Sequence, residues 1–386
     1  MHIVYLCNEY PPYSHGGIGV KYQRIARQLV EHGWQVSVVG VYRIQSQIID
    51  DDLGVKVYRL PAVTKHGPAA LINAYRVNRC LREIHRQAPI DVIESQEAGL
   101  AFLPRLTPAK KVIRMSGGHT FFSATLGKKP RFWRHLLDRI SFHKAEALCA
   151  VSSYVAERTR ELLNLGDTEI TVLPNPVNTE QFKPQPEIEE VPGSILFVGT
   201  VTEKKGIRQL VQAMPKIISA IPEAKLFIVG RDTIDPNTKF PYSETLKSLV
   251  SGKILESIHF IGAVKNEEIT GWISRSQVCV YPSHMEAQGI VVIEGMASGK
   301  AVVASKLGPG PELIEDGAHG LLCDPYSPDD IAAKVIRVLS DGKLRESLGR
   351  AARIRAVDEF SLNHLIDKNI SFYNELYNLK TKKVQS

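Results

Sequence analysis

Short apolar runs of strand length alternate with amphipathic stretches of helical period from one end of the chain to the other. A strand that is apolar at every position must be covered on both faces. The stretches between such strands supply that cover, so the pattern restricts the chain to parallel sheets flanked by helices. Strands are predicted at 3–7, 36–39, 55–58, 91–94, 112–113, 148–151 and 171–173. The stretch 183–192, rich in Pro and Glu, has neither period and reads as a linker. A second series follows, with strands at 195–198, 226–229, 259–261, 278–281 and 301–303. Its first helix places Ile207, Leu210, Val211, Met214, Ile217, Ile218 and Ile221 on one face. The fold class is therefore α/β, with two consecutive doubly wound, Rossmann-like domains at 1–182 and 193–358. Residues 359–386 form a terminal helix and tail: Leu362, Leu365, Ile366, Ile370, Tyr373 and Leu376 recur at helical spacing and can pack back on either domain.

A length of 386 residues suits two domains. No stretch approaches the ~18 to 20 apolar residues of a membrane span. The opening run 3–7 is too short for a signal-peptide core and has no basic region before it, so the expectation is a buried first strand and a mature chain starting at Met1. Cys7, Cys80, Cys149, Cys279 and Cys323 show no metal-type pairing and several sit in apolar runs, which favours a reducing, cytoplasmic setting. The net charge of +7 suggests anionic company. Nucleic acid is disfavoured, because no zinc finger, RNP-type strand or long basic helix is present.

The segment from Tyr281 to Ser305 is the most informative. A strand ends near Pro282, a loop carries Glu286, a helix starts at Gly289 and Ile290, and Gly299 stops it. The helix start offers N–H groups and a positive dipole end to a diphosphate. Glu294 lies about 7.5 Å along the axis at ~1.5 Å per residue, so the two carboxylates bracket that anion site and can grip hydroxyls. A solvated loop glutamate and a helix-face glutamate are the bland alternative.

The two glutamates and the Gly-Met-Ala-Ser-Gly-Lys-Ala-Val-Val-Ala-Ser run ending at Ser305 resemble the signature of family 4 retaining glycosyltransferases, and the resemblance covers essentially the whole chain. It implies the GT-B fold, in which two Rossmann-like domains face each other across a cleft whose closure excludes water. It also implies that Glu286 holds hydroxyls of the transferred sugar and Glu294 holds the ribose. In the run Phe197 to Gly206, Lys205 and Gly206 match the family's diphosphate loop, whereas Thr200 stands where an Arg is usual. Read from the residues alone, Lys205 is equally a surface lysine before a helix. Backbone from Gly262 to Val264 is expected to meet the nucleotide.

Between Glu9 and Gly19, a loop with Gly16 and Gly17 precedes a helix. It lacks the spacing of an NAD fingerprint and is similar to the family's Gly-Gly loop bordering the active cleft, although a tight turn explains such glycines too. After the strand at 112–113, Ser116 to Phe122 enter a glycine-rich loop. Relatives place sugar-facing histidines there, which points to His119, while Ser116 replaces another; a lone loop histidine is otherwise a solvated group.

Lys128, Lys129, Arg131, Arg134, Arg139 and Lys144 surround Phe132, Trp133, Leu136, Leu137 and Ile140. This basic amphipathic stretch, 128–144, suits the inner face of an anionic membrane or an acidic acceptor; the alternative is a surface helix with its apolar stripe on the core. The function expected from the resemblance is retaining transfer of a hexose-type sugar from a nucleotide-diphosphate donor to a glycan, lipid-linked or small-molecule acceptor. Glu286, His119 and Lys205 are the expected catalytic residues, with no cofactor and no metal. Asp50, Asp51 and Asp52 form the only acidic run and read as a loop. The rivals are an epimerase or phosphorylase of the same plan and a scaffold that kept the fold.

Overall fold

The computed structural model describes residues 1–13, 17–64, 69–104 and 109–384, with 379–384 described by backbone alone. The chain divides into two compact units, Met1–Pro176 with Leu362–Ser386 and Val177–Ser361.

In the first unit the strands are β1 (His2–Leu6), β2 (Gln35–Tyr42), β3 (Ile48–Asp52), β4 (Val55–Pro61), β5 (Val92–Ser95), β6 (Lys110–Met115), β7 (Ala147–Ala150) and β8 (Ile170–Val172). They form one sheet in the order β3-β4-β2-β1-β5-β6-β7-β8, parallel except for β3 against β4. The helices are α1 (Gly17–Glu31), α2 (Ala69–Gln87), α3 (His119–Thr125), α4 (Phe132–Lys144) and α5 (Ser153–Leu163).

The acidic run expected in a loop is β3 instead. Its hairpin turns at Leu53 and Gly54, with φ of 53° and 87°, the left-handed pair that a two-residue hairpin loop favours. Three adjacent carboxylates are tolerated there because each meets its own cation: Asp50 pairs with Arg59, Asp51 with Lys56 and Asp52 with Arg27.

The second unit holds β9 (Ser194–Val198), β10 (Lys225–Val229), β11 (Ile258–Gly262), β12 (Val278–Tyr281), β13 (Ala301–Ser305) and β14 (Leu321–Cys323), all parallel in the order β11-β10-β9-β12-β13-β14. This is the doubly wound 3-2-1-4-5-6 arrangement, with its switch point between β9 and β12. Its helices are α6 (Ile207–Ala220), α7 (Tyr242–Lys247), α8 (Gly252–Glu256), α9 (Asn266–Arg275), α10 (Ile290–Ala297), α11 (Gly310–Leu313), α12 (Pro328–Ser340) and α13 (Gly342–Phe360). Ile195, Phe197, Val278 and Val280 enter the core on one face of the sheet, and Leu196, Val198, Cys279 and Tyr281 that on the other. Burial on both faces is why these strands read as unbroken apolar runs.

The stretch 183–192 lies within the second unit. Val191 N–H donates to the Arg275 carbonyl, Ser274 Oγ to Gln185, and Lys300 pairs with Glu190 at 2.5 Å. These bonds tie the stretch to the second unit although it shows no helical or strand period. The terminal helix predicted within 359–386 is α14 (Leu362–Val384); it begins after α13 ends at Phe360 and Ser361 is extended, and it joins the first unit. There Arg114 Nε donates to Glu94 at 2.7 Å and Nη2 to Asn369 of α14 at 2.7 Å, while the Tyr373 hydroxyl donates to Glu94 at 2.6 Å, all fully buried. Among the described residues the five cysteines are buried and unbridged, and no helix is long and apolar enough to cross a membrane.

Candidate active site

In the second unit the loops that follow β9 and β12 flank the switch point, where open α/β sheets bind ligands. After β9 the chain passes Gly199, Thr200 and a short 3-10 turn, Glu203–Lys205, before Gly206 opens α6. A Cβ on Gly206 would sit 1.7 Å from the Pro282 carbonyl oxygen, and one on Gly230 would sit 1.9 Å from that of Gly199. With φ of 67° at Gly206, glycine is required on both counts. These approaches draw the ends of β10, β9 and β12 together.

Lys205 Nζ donates to Glu286 Oε1 at 2.5 Å, and Ser283 Oγ donates to the same oxygen at 2.9 Å. Two of the predicted residues thus meet directly. Three residues beyond Glu286, Gly289 takes φ of 89° and α10 begins with no side chain capping its amino end. Its first N–H groups are therefore placed to bind an anion.

Glu294 lies on α10 and is 8% exposed. Burial, Cys279 and the negative charge of Glu294 all raise the Tyr281 hydroxyl, which puts that carboxylate near the end of β12. Gly262 has φ of 83° and its carbonyl accepts from Gly230 N–H at 2.8 Å; Val264 packs on the core. One acceptor at Gly262 is therefore already used. Behind Lys205, Arg208 clamps Glu203 and holds its carboxyl down at about 2, with burial opposing and the Tyr242 hydroxyl assisting.

Thr200 is followed by Val201, whose N–H donates to the Arg231 carbonyl at 2.9 Å across an isolated bridge between Val201 and Asp232. Arg231 is exposed, and its guanidinium has no partner among the described residues. Sequence reading missed it. Only the adjacency of β9 and β10 brings the backbone of Arg231 beside the position where Thr200 leaves a cation out.

In the first unit the corresponding switch point, between β1 and β5, opens into a cavity of about 880 Å³ lined by Asn8, Glu9, Gln96, Glu97, His119 and Asp138, among others. His119 begins α3, and its Nε2 accepts from Arg131 N–H at 3.3 Å. Ser116 N–H donates to Glu97 at 2.7 Å. Burial raises the carboxyls of Glu97 and Asp138, the latter against an opposing bond from Thr120. Neither was named from sequence, although Glu97 follows the end of β5 by two residues, a position that could have flagged it.

Gly17 starts α1 and has open space around it, whereas a Cβ on Gly19 would meet the Glu9 carbonyl oxygen at 1.7 Å. The structurally demanded glycine of that loop is therefore Gly19. Ser14, His15 and Gly16 lie outside the described residues. Burial also lowers the Lys21 ammonium on α1 to about 8.

Two sequence families match in succession, one described as Glycosyltransferase Family 4 over residues 15–181 and one as Glycosyl transferases group 1 over residues 178–355. A glycosyltransferase of Methanocaldococcus jannaschii without assigned specificity is 27% identical, over 97% of this chain and 98% of its own length. A GDP-mannose-dependent alpha-(1-6)-phosphatidylinositol monomannoside mannosyltransferase of Mycobacterium tuberculosis is 26% identical, over 91% and 92%. Among solved structures, the sucrose-phosphate synthase of Thermosynechococcus elongatus superposes with a TM-score of 0.83 over 98% of this chain and 99% of its own, at 20% identity.

Proposed function

Because the chain belongs to the family 4 glycosyltransferases and has their GT-B fold, we propose that it transfers a hexose from a nucleotide-diphosphate sugar to a hydroxyl of a glycan, lipid-linked or small-molecule acceptor, retaining anomeric configuration and using no metal. The observation that carries this reading is the Lys205–Glu286 ion pair beside the uncapped start of α10. The nucleotide-sugar donor is further supported by the GDP-mannose dependence in the name of the mycobacterial relative.

The donor diphosphate sits at the N–H groups of Gly289 and Ile290, with Lys205 and Arg231 as its cations and Thr200 as a hydroxyl donor. Glu294 receives the ribose hydroxyls, and backbone at Gly262 and Val264 borders the base. When Lys205 turns to phosphate, Glu286 loses its cation and accepts hydroxyls of the sugar. The anomeric C–O bond to the diphosphate breaks as the acceptor oxygen bonds to the same face. The acceptor proton passes to the departing phosphate oxygen, whose charge the cations and N–H groups stabilise.

The cavity of the first unit takes the acceptor, with His119 in its lining and Glu97 and Asp138 offering carboxyl groups to its hydroxyls. The test is incubation with a panel of nucleotide sugars and candidate acceptors, followed by mass spectrometry. A new glycoside supports transfer. An isomerised donor, a sugar phosphate, or no binding of any nucleoside diphosphate in calorimetry overturns it in favour of an epimerase, a phosphorylase or a scaffold respectively.

A further inference from the structure

The sequence leaves two readings for the basic stretch 128–144, and the first turn of α4 bears on the choice between them. An ordinary surface helix turns its large apolar side chains inward. Here Phe142 is buried and Leu136 and Leu137 are half-buried, but Phe132 and Trp133 are 70% and 72% exposed and Leu126 is 49% exposed. The two aromatic rings pack edge to face, with centroids 5.4 Å apart, so they form one projecting apolar block.

Lys128, Lys129, Arg131 and Arg134 surround that block, all exposed and none paired with an acid among the described residues. The only acid from 126 to 144 is Asp138, which is 3% exposed and accepts from Thr120 Oγ1. Along α4 the apolar surface continues to Ile140, itself exposed.

We propose that the segment Leu126 to Arg134 is a peripheral membrane anchor, in which Trp133, Phe132 and Leu126 enter the boundary between headgroups and acyl chains of an anionic bilayer while Lys128, Lys129, Arg131 and Arg134 contact lipid phosphates. Exposed Trp and Phe are stable at that boundary, where one side of the ring is apolar and the other wet. The cations lie on long side chains with no fixed internal partners, which suits a fluid sheet of negative charge better than the fixed acids of a protein partner. The net charge of +7 adds a long-range attraction of the same sign. This inference is independent of the donor site, since every residue in it belongs to the first unit.

The experiment is sedimentation of the whole protein with vesicles of phosphatidylcholine alone and with added phosphatidylglycerol, at low and high salt. Binding is expected on the anionic vesicles, with loss in high salt. Lys128→Ala with Lys129→Ala should weaken it roughly tenfold or more. Phe132→Ser with Trp133→Ser should weaken it by a similar factor, while Lys253→Ala in the second unit leaves it unchanged.

Trp34 and Trp272 are half-buried, so the emission of Trp133 should dominate a blue shift on vesicle addition, and Trp133→Phe should remove that shift. Failure to bind anionic vesicles overturns the proposal. So does binding that survives both double substitutions. Binding that survives Phe132→Ser with Trp133→Ser but is abolished by heparin would assign the patch to a soluble polyanion and overturn it equally. Thermal melting should be unchanged in each variant, because the side chains removed are exposed.

Discussion

Lys205 and Glu286, 81 residues apart in the chain, meet at 2.5 Å where the loops after β9 and β12 converge. A lysine held by a carboxylate is positioned without being consumed, because an arriving diphosphate offers it more negative charge. Lys205→Ala should lower kcat by roughly a hundredfold, the usual effect of removing one group that stabilises a leaving anion. Glu286→Gln should spare the affinity for free nucleoside diphosphate while lowering kcat/KM for the sugar nucleotide. Calorimetry with the nucleotide and steady-state kinetics with the donor separate the two, and equal losses in both would contradict the division of roles.

Glu294 is buried on α10 to 8% exposure, so its substitution tests the ribose contact only if the fold survives. Glu294→Ala should abolish or severely reduce transfer while far-ultraviolet circular dichroism and the cooperative melt persist. Wild-type turnover in a folded variant would remove it from the donor site.

The Arg231 carbonyl accepts from Val201 N–H, one residue beyond Thr200, where the family's arginine is missing. Arg231→Ala should weaken nucleoside diphosphate binding by about 1.5–3 kcal/mol, the usual worth of a hydrogen bond to a charged group. Thr200→Arg in the same chain should recover most of that loss. Unchanged binding in Arg231→Ala would show that the guanidinium faces solvent only.

Metal removal gives a separate test. If Lys205, Arg231 and the start of α10 carry the leaving-group charge, transfer should continue in excess chelator. Loss of activity that magnesium or manganese restores would place a cation in the reaction.

The doubly wound plan was legible because buried parallel strands print their burial directly as apolar runs; Ile195 to Val198 feed two cores from alternate positions. What escaped reading depends on partners distant in the chain. Asp50 to Asp52 read as a loop until Arg27, Arg59 and Lys56 neutralise them one by one. Lys205 and Glu286 were both visible, but their pairing was not, since nothing local links two loops on different strands. Arg231 carries no period or motif, and only strand order brings its backbone beside Thr200.

The same dependence on distant partners governs the stability of the first unit. Glu94 and Arg114 are both fully buried, and α14 returns from the far end of the chain to complete their bonding through Asn369 and Tyr373. Burial alone would raise the Glu94 carboxyl; the Arg114 guanidinium, aided by Lys21 and Tyr373, outweighs it and leaves the carboxyl below its ordinary range. A carboxyl depressed in the folded state contributes stability above its unfolded pKa and loses it as pH falls through the folded one. The first unit should therefore weaken as pH drops below the ordinary carboxylate range. Arg114→Met leaves Glu94 buried without its cation and should cost about 3–5 kcal/mol. Glu94→Gln combined with Arg114→Met removes both charges, so urea titrations should show a smaller loss than Arg114→Met alone and a flatter dependence on pH. If the single and double variants lose the same stability at every pH, the pair is held by packing and not by charge.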